Sequence, residues 1–232
     1  MKILALDSTA DICTAAICDD LTLIAEMTFN TGNTHSQTLL PVVEQILNIS
    51  EISLDDIELF ACSTGPGSFT GVRIGVATVK GLAYGKNKPC VSVSTLDALA
   101  YNLRGYNGIL CPVMNARRDQ VYNALFECRD STVTRLCPDR AIPIEELDRE
   151  LADMDKPVYL CGDGYNITEK GFNMIKPRFV PERQRLQSAY SVACIAFAKY
   201  KDGNILSDSE LVPIYLRPSQ AERERNERLG IK

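Results

Sequence analysis

The stretch Ser63-Thr64-Gly65-Pro66-Gly67-Ser68-Phe69-Thr70-Gly71-Val72-Arg73-Ile74-Gly75 decides how this chain is read. An apolar, strand-like run over 57–62 leads into it, and a helical pattern over 72–84 leads out. Gly65, Gly67, Gly71 and Pro66 sit at the junction. A strand that turns sharply into a helix through such a loop leaves backbone N–H groups facing open space, which suits an anion. The same glycines also admit a neighbouring backbone at close range. The loop is neither G-x-x-x-x-G-K-[ST] nor G-x-G-x-x-G, so neither of those nucleotide-binding mechanisms carries over.

Upstream, residues 2–9 read as a buried strand with a polar tip, Asp7-Ser8-Thr9. Strands over 11–19 and 23–29 follow after short polar turns, as an antiparallel meander. A helix opens at Asn33-Thr34-His35-Ser36, with Thr34 or Ser36 as its cap. Leu39, Leu40, Val43, Ile46 and Leu47 keep helical spacing, and Val42 and Ile49 widen the stripe to about half the circumference. Either the helix is covered by its own fold or its second side meets a partner.

Downstream, Gly71 and Gly75 share one helix face. Each glycine in a helix costs about 1 kcal/mol relative to alanine, and close helix–helix contact is the expected compensation. A strand over 89–93 and a helix over 96–103 complete a first lobe, and Arg104-Gly105-Tyr106-Asn107-Gly108 marks a boundary. The strand meander then restarts over 109–114, 121–128 and 132–136. A helix over 144–154, a strand over 158–161 running into Gly162-Asp163-Gly164, and an apolar, buried helix over 188–200 follow. The expectation is a mixed α/β protein of two duplicated β-meander-plus-helices lobes, 1–104 and 105–232. The tail is extended and apolar over 211–218, then mixed in charge over 219–228, as a solvated helix or a partner-ordered arm.

With 232 residues, 45% apolar and 24% charged, the chain can bury a real core. Its net charge of −5 argues against strong unaided binding of a polyanion. Nine cysteines without a C-x-x-C pair read as small buried hydrophobes of a reducing, cytoplasmic protein. The apolar N-terminal run is too short for a signal peptide, and no run approaches a membrane span.

A single histidine, His35, excludes H-x-x-x-H, H-E-x-x-H and Ser-His-Asp chemistry that needs a second one. A capping or surface role suits it better. Ser8 and Thr9 stand where actin-type and sugar-kinase ATPases place a phosphate loop, although Ser8 replaces the glycine such a loop needs. Arg117 and Arg118 hold the matching place in the second lobe, where they would contact an anion or form surface ion pairs. Asp163 would meet a sugar hydroxyl or simply make a turn. Acid, base and electrophile do not assemble in one place from these parts.

Residues 3–9, His35-Ser36-Gln37-Thr38-Leu39-Leu40-Pro41, Ser63 to Gly75, residues 93–99, Ala116-Arg117-Arg118 with Val121-Tyr122, and Tyr215-Leu216-Arg217 with Ala221-Glu222-Arg223 come in a telling order and spacing. Together they resemble the TsaB family, also called YeaZ, over nearly the full length. That resemblance implies an actin-like, sugar-kinase-like (ASKHA) fold and a non-catalytic role in making tRNA threonylcarbamoyladenosine. The catalytic paralogue, TsaD, holds a metal through H-x-x-x-H; those positions fall here at Thr95 and Leu99, which cannot replace imidazoles. Gln37 and Asn115 stand where the family usually has Glu and Asp.

The implied partners are a TsaD-like paralogue, a TsaE-like ATPase and, through the complex, tRNA, with no membrane. The chain itself is expected to need no cofactor, since ATP, magnesium and metal would serve the partner subunits. Without its partner it is expected to form a homodimer. The expected interface comprises His35, Leu39, Val42, Val43, Ile46, Phe69, Gly71, Val72, Ile74, Gly75, Thr78 and Val79, on two helices over 35–49 and 70–84. On that reading Gly75→Leu breaks association and leaves the monomer folded. The competing class is an enzyme: an ATP-dependent phosphotransferase or a glycoprotease-like peptidase.

Overall fold

The computed structural model describes residues 1–32 and 34–217, together with Arg225 and Arg228. Continuous apolar runs in β1 (Lys2–Asp7) and β4 (Leu59–Ser63) are explained by burial of both faces. Successive side chains point to opposite sides. Leu4, Leu6, Phe60 and Cys62 therefore enter one core, and Ile3, Ala5, Leu59 and Ala61 another. With β2 (Cys13–Asp19), β3 (Thr22–Phe29) and β5 (Cys90–Val93) they form a sheet of order β3-β2-β1-β4-β5. The expected meander is antiparallel, while β1, β4 and β5 run parallel.

Helices α1 (His35–Ile49) and α2 (Phe69–Ala83) cover the first face of this sheet. Thr34 stands at the N-cap of α1, but its hydroxyl caps no backbone N–H; it pairs with Ser36 Oγ at 3.2 Å. Ser68 does cap α2, accepting from Gly71 N at 3.3 Å. Helix α3 (Thr95–Asn102) follows β5, capped by Ser94.

The second sheet repeats the first with interruptions. β6 (Gly108–Asn115) pairs with both β7 (Gln120–Asn123) and β8 (Phe126–Arg129). The register of β6 against them is one and the same, Val113 opposite Asn123 and Gly108 opposite Cys128, so β7 and β8 are one strand broken at Ala124-Leu125. β9 (Thr132–Arg135) and β10 (Arg140–Pro143) form its neighbour in two pieces, of which the sequence reading had only the first. β11 (Val158–Cys161) lies parallel on the other edge of β6, and Arg178 adds a single parallel bridge to Tyr159. The order three-two-one-four of the first sheet thus recurs, with its fifth strand reduced to one bridge. This is the duplicated actin-like plan that was expected.

Helix packing does not respect a division at residue 104. Helices α4 (Ile144–Ala152) and α5 (Tyr165–Gly171) cover one face of the second sheet. Its other face is covered by α3 from the first half, through Leu96, Leu99, Ala100 and Leu103. In return α7 (Ala189–Lys201), which follows the short α6 (Glu182–Arg185), packs Val192, Ala193 and Ala196 on the second face of the first sheet. The lobe expected over 105–232 is therefore corrected. Residues 189–215 belong structurally with the first lobe: Leu206 bridges Cys90, and Ile214 N donates to Thr64 O at 2.8 Å, whereas Leu216 packs on the second-lobe core and Arg217 Nη1 donates to Ala116 O at 3.2 Å. The apolar requirement of each sheet face drives this exchange. The charged arm over 219–228 lies outside the described residues, Arg225 and Arg228 excepted. Among the described residues no helix is long and apolar enough to cross a membrane.

Candidate functional site

The glycine loop closes on the tip of β1. Ser68 N donates to Thr9 O at 2.7 Å, and Ser8 Oγ donates to Gly71 O at 2.9 Å. A Cβ at Gly71 would collide with the Ser8 carbonyl, and one at Gly75 would lie 2.7 Å from Ser8 Oγ. The close approach that these glycines permit is to the chain's own β1 tip. They do not admit another helix from outside, which corrects the role expected of them.

Asp7 organises the same tip from below. It is buried and accepts from Ser63 Oγ at 2.5 Å, Thr9 N at 2.9 Å and Thr9 Oγ1 at 2.7 Å. Burial pushes its pKa up, while the bonds from Ser63 and Thr9 pull it down. Ser8 and Thr9 are buried and engaged, so the anion or nucleotide contact expected of them is not offered by this arrangement. The place where a phosphate loop would open is filled by residues 67–71.

In the second lobe, Asn115 N donates to Asp163 Oδ1 at 3.2 Å, and Asn115 Oδ1 accepts from Arg117 N at 2.8 Å. Asn115 is a turn-forming residue here, and Asp163 ties the turn to the end of β11. Arg117, Arg118 and Asp119 all have φ between 54° and 63°, and all three are exposed. In this tight left-handed turn both arginines are exposed to solvent, whereas Ser8 and Thr9 are buried. Asp163 keeps surface open to solvent, yet the protein around it removes enough water to push its pKa up to about 6. Hydrogen bonds from Asn115, its own amide and Gly164 pull the other way, and Asp11 of the first lobe adds like-charge repulsion.

The expected interface residues separate into two sets. Leu39, Val42, Val43, Ile46, Val72 and Val79 are buried in the chain's own core, beneath the first sheet. Each such side chain stabilises the monomer by roughly 1.5–3 kcal/mol and has no surface left for a partner. Gly71 and Gly75 are buried against Ser8, as described. His35 is half-buried, its Nε2 2.6 Å from Ala10 O, so it tethers the segment after β1 to the start of α1. Phe69 stacks on Tyr215 with ring centroids 4.5 Å apart, and Arg73 Nε donates to the Tyr215 hydroxyl at 2.7 Å. Ile74 and Thr78 remain half-buried.

The free outer surface of these helices was only partly visible in the sequence. On α2 it is Thr70, Ala77 and Gly81, with Tyr84 just beyond; Arg73 shares this face at three- and four-residue spacing but is held by Tyr215. Tyr84 is 79% exposed, and a Cβ at Gly81 would meet nothing within 4 Å among the described residues. On α1, Leu40 and Ile49 flank the core stripe, and Ile49 is 66% exposed. The excess width of the apolar stripe was the signal for Ile49, but it pointed equally to Val42, which is buried, and helical spacing placed Leu40 in the core stripe itself. Ala77 and Gly81 carried none that separates them from Gly71 and Gly75.

Thr95 and Leu99 are buried on α3. Among the described residues, no group of three or more His, Cys, Asp and Glu side chains is placed to hold a metal ion. All nine cysteines are free thiols, and eight are buried.

Fold and site together define an actin-like, sugar-kinase-like scaffold whose phosphate-loop position is packed shut by its own backbone. The model of the family TsaD, tRNA N6-adenosine threonylcarbamoyltransferase, matches residues 23–183. A curated relative from Bacillus subtilis, named tRNA threonylcarbamoyladenosine biosynthesis protein TsaB, is 34% identical over 162 residues, covering 70% of this chain and 71% of that one. The relative of the same name from Haemophilus influenzae is 28% identical over 94% of both chains. A solved structure, YeaZ from Pseudomonas aeruginosa, shares the fold with a TM-score of 0.80 at 23% identity, over 93% of this chain and 99% of that one. The chain belongs to the TsaB family, within the wider family that the TsaD model describes.

Proposed function

We propose that this chain is a non-catalytic subunit in the synthesis of tRNA threonylcarbamoyladenosine. It binds and activates a TsaD-like paralogue, in a complex with a TsaE-like ATPase. The complex transfers threonylcarbamoyl to the adenosine 3′ of the anticodon in tRNAs reading codons that begin with adenine. ATP, magnesium and metal serve the partner subunits, and tRNA is reached through the complex in the cytoplasm.

Family membership supports the pathway. The observation that carries the non-catalytic reading is the closure of residues 67–71 over Ser8 and Thr9, which spends both hydroxyls and the neighbouring amides inside the protein. Thr95 and Leu99, at the positions of the paralogue's metal-binding histidines, are consistent with it. The partner surface is the outer face of α1 and α2, including Leu40, Ile49, Ile74, Ala77, Thr78, Gly81 and Tyr84. Without the paralogue this surface pairs two copies of the chain.

Reconstitution tests the reading. The chain, a TsaD-type protein, a TsaE-type ATPase and tRNA are combined with threonine, bicarbonate, ATP and an enzyme that joins them into an activated threonylcarbamoyl donor. Nucleoside chromatography is expected to detect the modified adenosine only when the chain is present. Micromolar ATP binding with hydrolysis by the isolated chain, measured by calorimetry, would instead make it an enzyme.

A further inference from the structure

A cavity of about 510 Å³ opens between β3, the end of α3 and the segment 181–191, away from the β1 tip and from the outer face of α1 and α2. Its volume lies in the range of small-molecule pockets. Most polar groups in its wall are spent on one another. Glu26, whose side chain is 10% exposed, accepts from Ser188 Oγ at 2.8 Å and from Tyr190 N at 3.1 Å. Asn102 donates to Leu186 O at 2.7 Å and accepts from Ser191 Oγ at 2.6 Å.

Gln187, in the same wall, is the exception. The residue is 4% exposed, and neither its amide nitrogen nor its carbonyl oxygen has a partner among the described residues. Enclosing an amide with both ends unpaired is strongly unfavourable, so an arrangement that pairs it is favoured wherever one can be reached. Gln187 lines the cavity, and a change of side-chain rotamer, with no backbone movement, would turn its amide edge into it.

We propose that this cavity binds a 6-aminopurine nucleoside, with Gln187 pairing its amide to the amino edge of the base. An unpaired amide calls for an adjacent donor and acceptor, and the N6/N7 edge of adenine supplies both in one plane. A simple carboxamide offers the same edge but leaves most of the cavity unfilled. A purine nucleoside fills it, with Leu23, Leu186 and Tyr190 as apolar walls for the flat base. This assignment is independent of the partner-subunit reading.

The test is isothermal titration of the full chain with adenosine, with purine riboside, which lacks the amino group, and with glutaminamide, a small carboxamide compound that lacks the base. Adenosine is expected to bind saturably, and purine riboside and glutaminamide about tenfold or more weakly, because each leaves the amide or the cavity incompletely satisfied. Gln187→Met is expected to lose about tenfold in adenosine affinity while its Tm holds or rises, since it removes an unpaired amide. Leu23→Trp, at a half-exposed wall position, keeps Gln187 and is expected to block binding by filling the cavity. The proposal is overturned if the folded chain fails to bind adenosine at millimolar concentration. It is equally overturned if either variant binds adenosine as the parent does, or if purine riboside or glutaminamide binds as tightly as adenosine.

Discussion

At Gly71 a single added carbon would overlap the Ser8 carbonyl, and backbone on both sides leaves little room for relief. Gly71→Ala is therefore expected to lower stability by about 3 kcal/mol or more, read as a shift in the urea midpoint. An unchanged midpoint would mean that the loop does not sit on the β1 tip as described. Gly75→Leu forces a larger group against Ser8 Oγ and cannot leave the monomer untouched, contrary to the first expectation. Asp163 permits a pH test. Its folded pKa of about 6 exceeds the ordinary carboxylate value, so the fold binds the proton more tightly than the unfolded chain does. The associated stability is present in full below about pH 4 and is lost as pH rises through about 6. Asp163→Asn mimics the protonated form and keeps an acceptor for Asn115 N. Its Tm is expected to exceed the parent's at pH 7.5 and to match it at pH 4; equal Tm values at both would remove the proposed desolvation and Asp11 repulsion.

At the scale of the element, α1 and α2 each have an inner face that builds the first lobe and an outer face that remains free. The inner face of α1 holds Leu39, Val42, Val43 and Ile46. The outer face of α2 presents Ala77 and Gly81 one turn apart, small enough for another helix to approach. Gly81→Leu adds about 1 kcal/mol of helix propensity in open space, so the monomer stays folded. Its side chain would hold an approaching helix away. Loss of the complex with the TsaD-type partner in size-exclusion chromatography, with unchanged circular dichroism, is the expected result. Retention of the complex would move the interface elsewhere.

For the whole molecule, the exchange of α3 and α7 between lobes has a direct consequence. Residues 1–104 lack the helix that covers Ile3, Ala5, Leu59 and Ala61. Expressed alone, that segment is expected to bind a hydrophobic dye and to show poorly dispersed amide resonances. Supplying 188–217 in the same polypeptide, joined through a flexible linker, is expected to restore dispersion. A well-folded 1–104 would show that α7 is dispensable to the first sheet. Arg135 adds to the junction, bonding Asp97 of α3 and Asp139 of the second lobe, each at 2.6 Å.

How much of this was legible in the residues depends on how local each cause is. Alternation and apolar runs revealed the first meander, β4 and β5, because strand periodicity is a property of neighbouring residues. The excess width of the α1 stripe likewise marked Ile49 as more than core, but it marked Val42 with it, which the fold buries, and helical spacing placed Leu40 in the core. Nothing local separates Gly71 and Gly75 from Ala77 and Gly81: both pairs are four residues apart on one helix, and only the docking of α2 on the sheet turns one inward and the other out. The break between β7 and β8 and the small strand β10 carry too few residues to show a period. Sequence by itself determined the duplicated α/β plan, the shortage of histidine chemistry and the family. Tertiary structure alone decided that the glycine loop seals the β1 tip, that α3 and α7 change lobes, and that Gln187 lies beside a cavity with no partner for its amide among the described residues. Each of these depends on which surfaces meet across many residues of separation, and that is fixed by packing rather than by any local pattern.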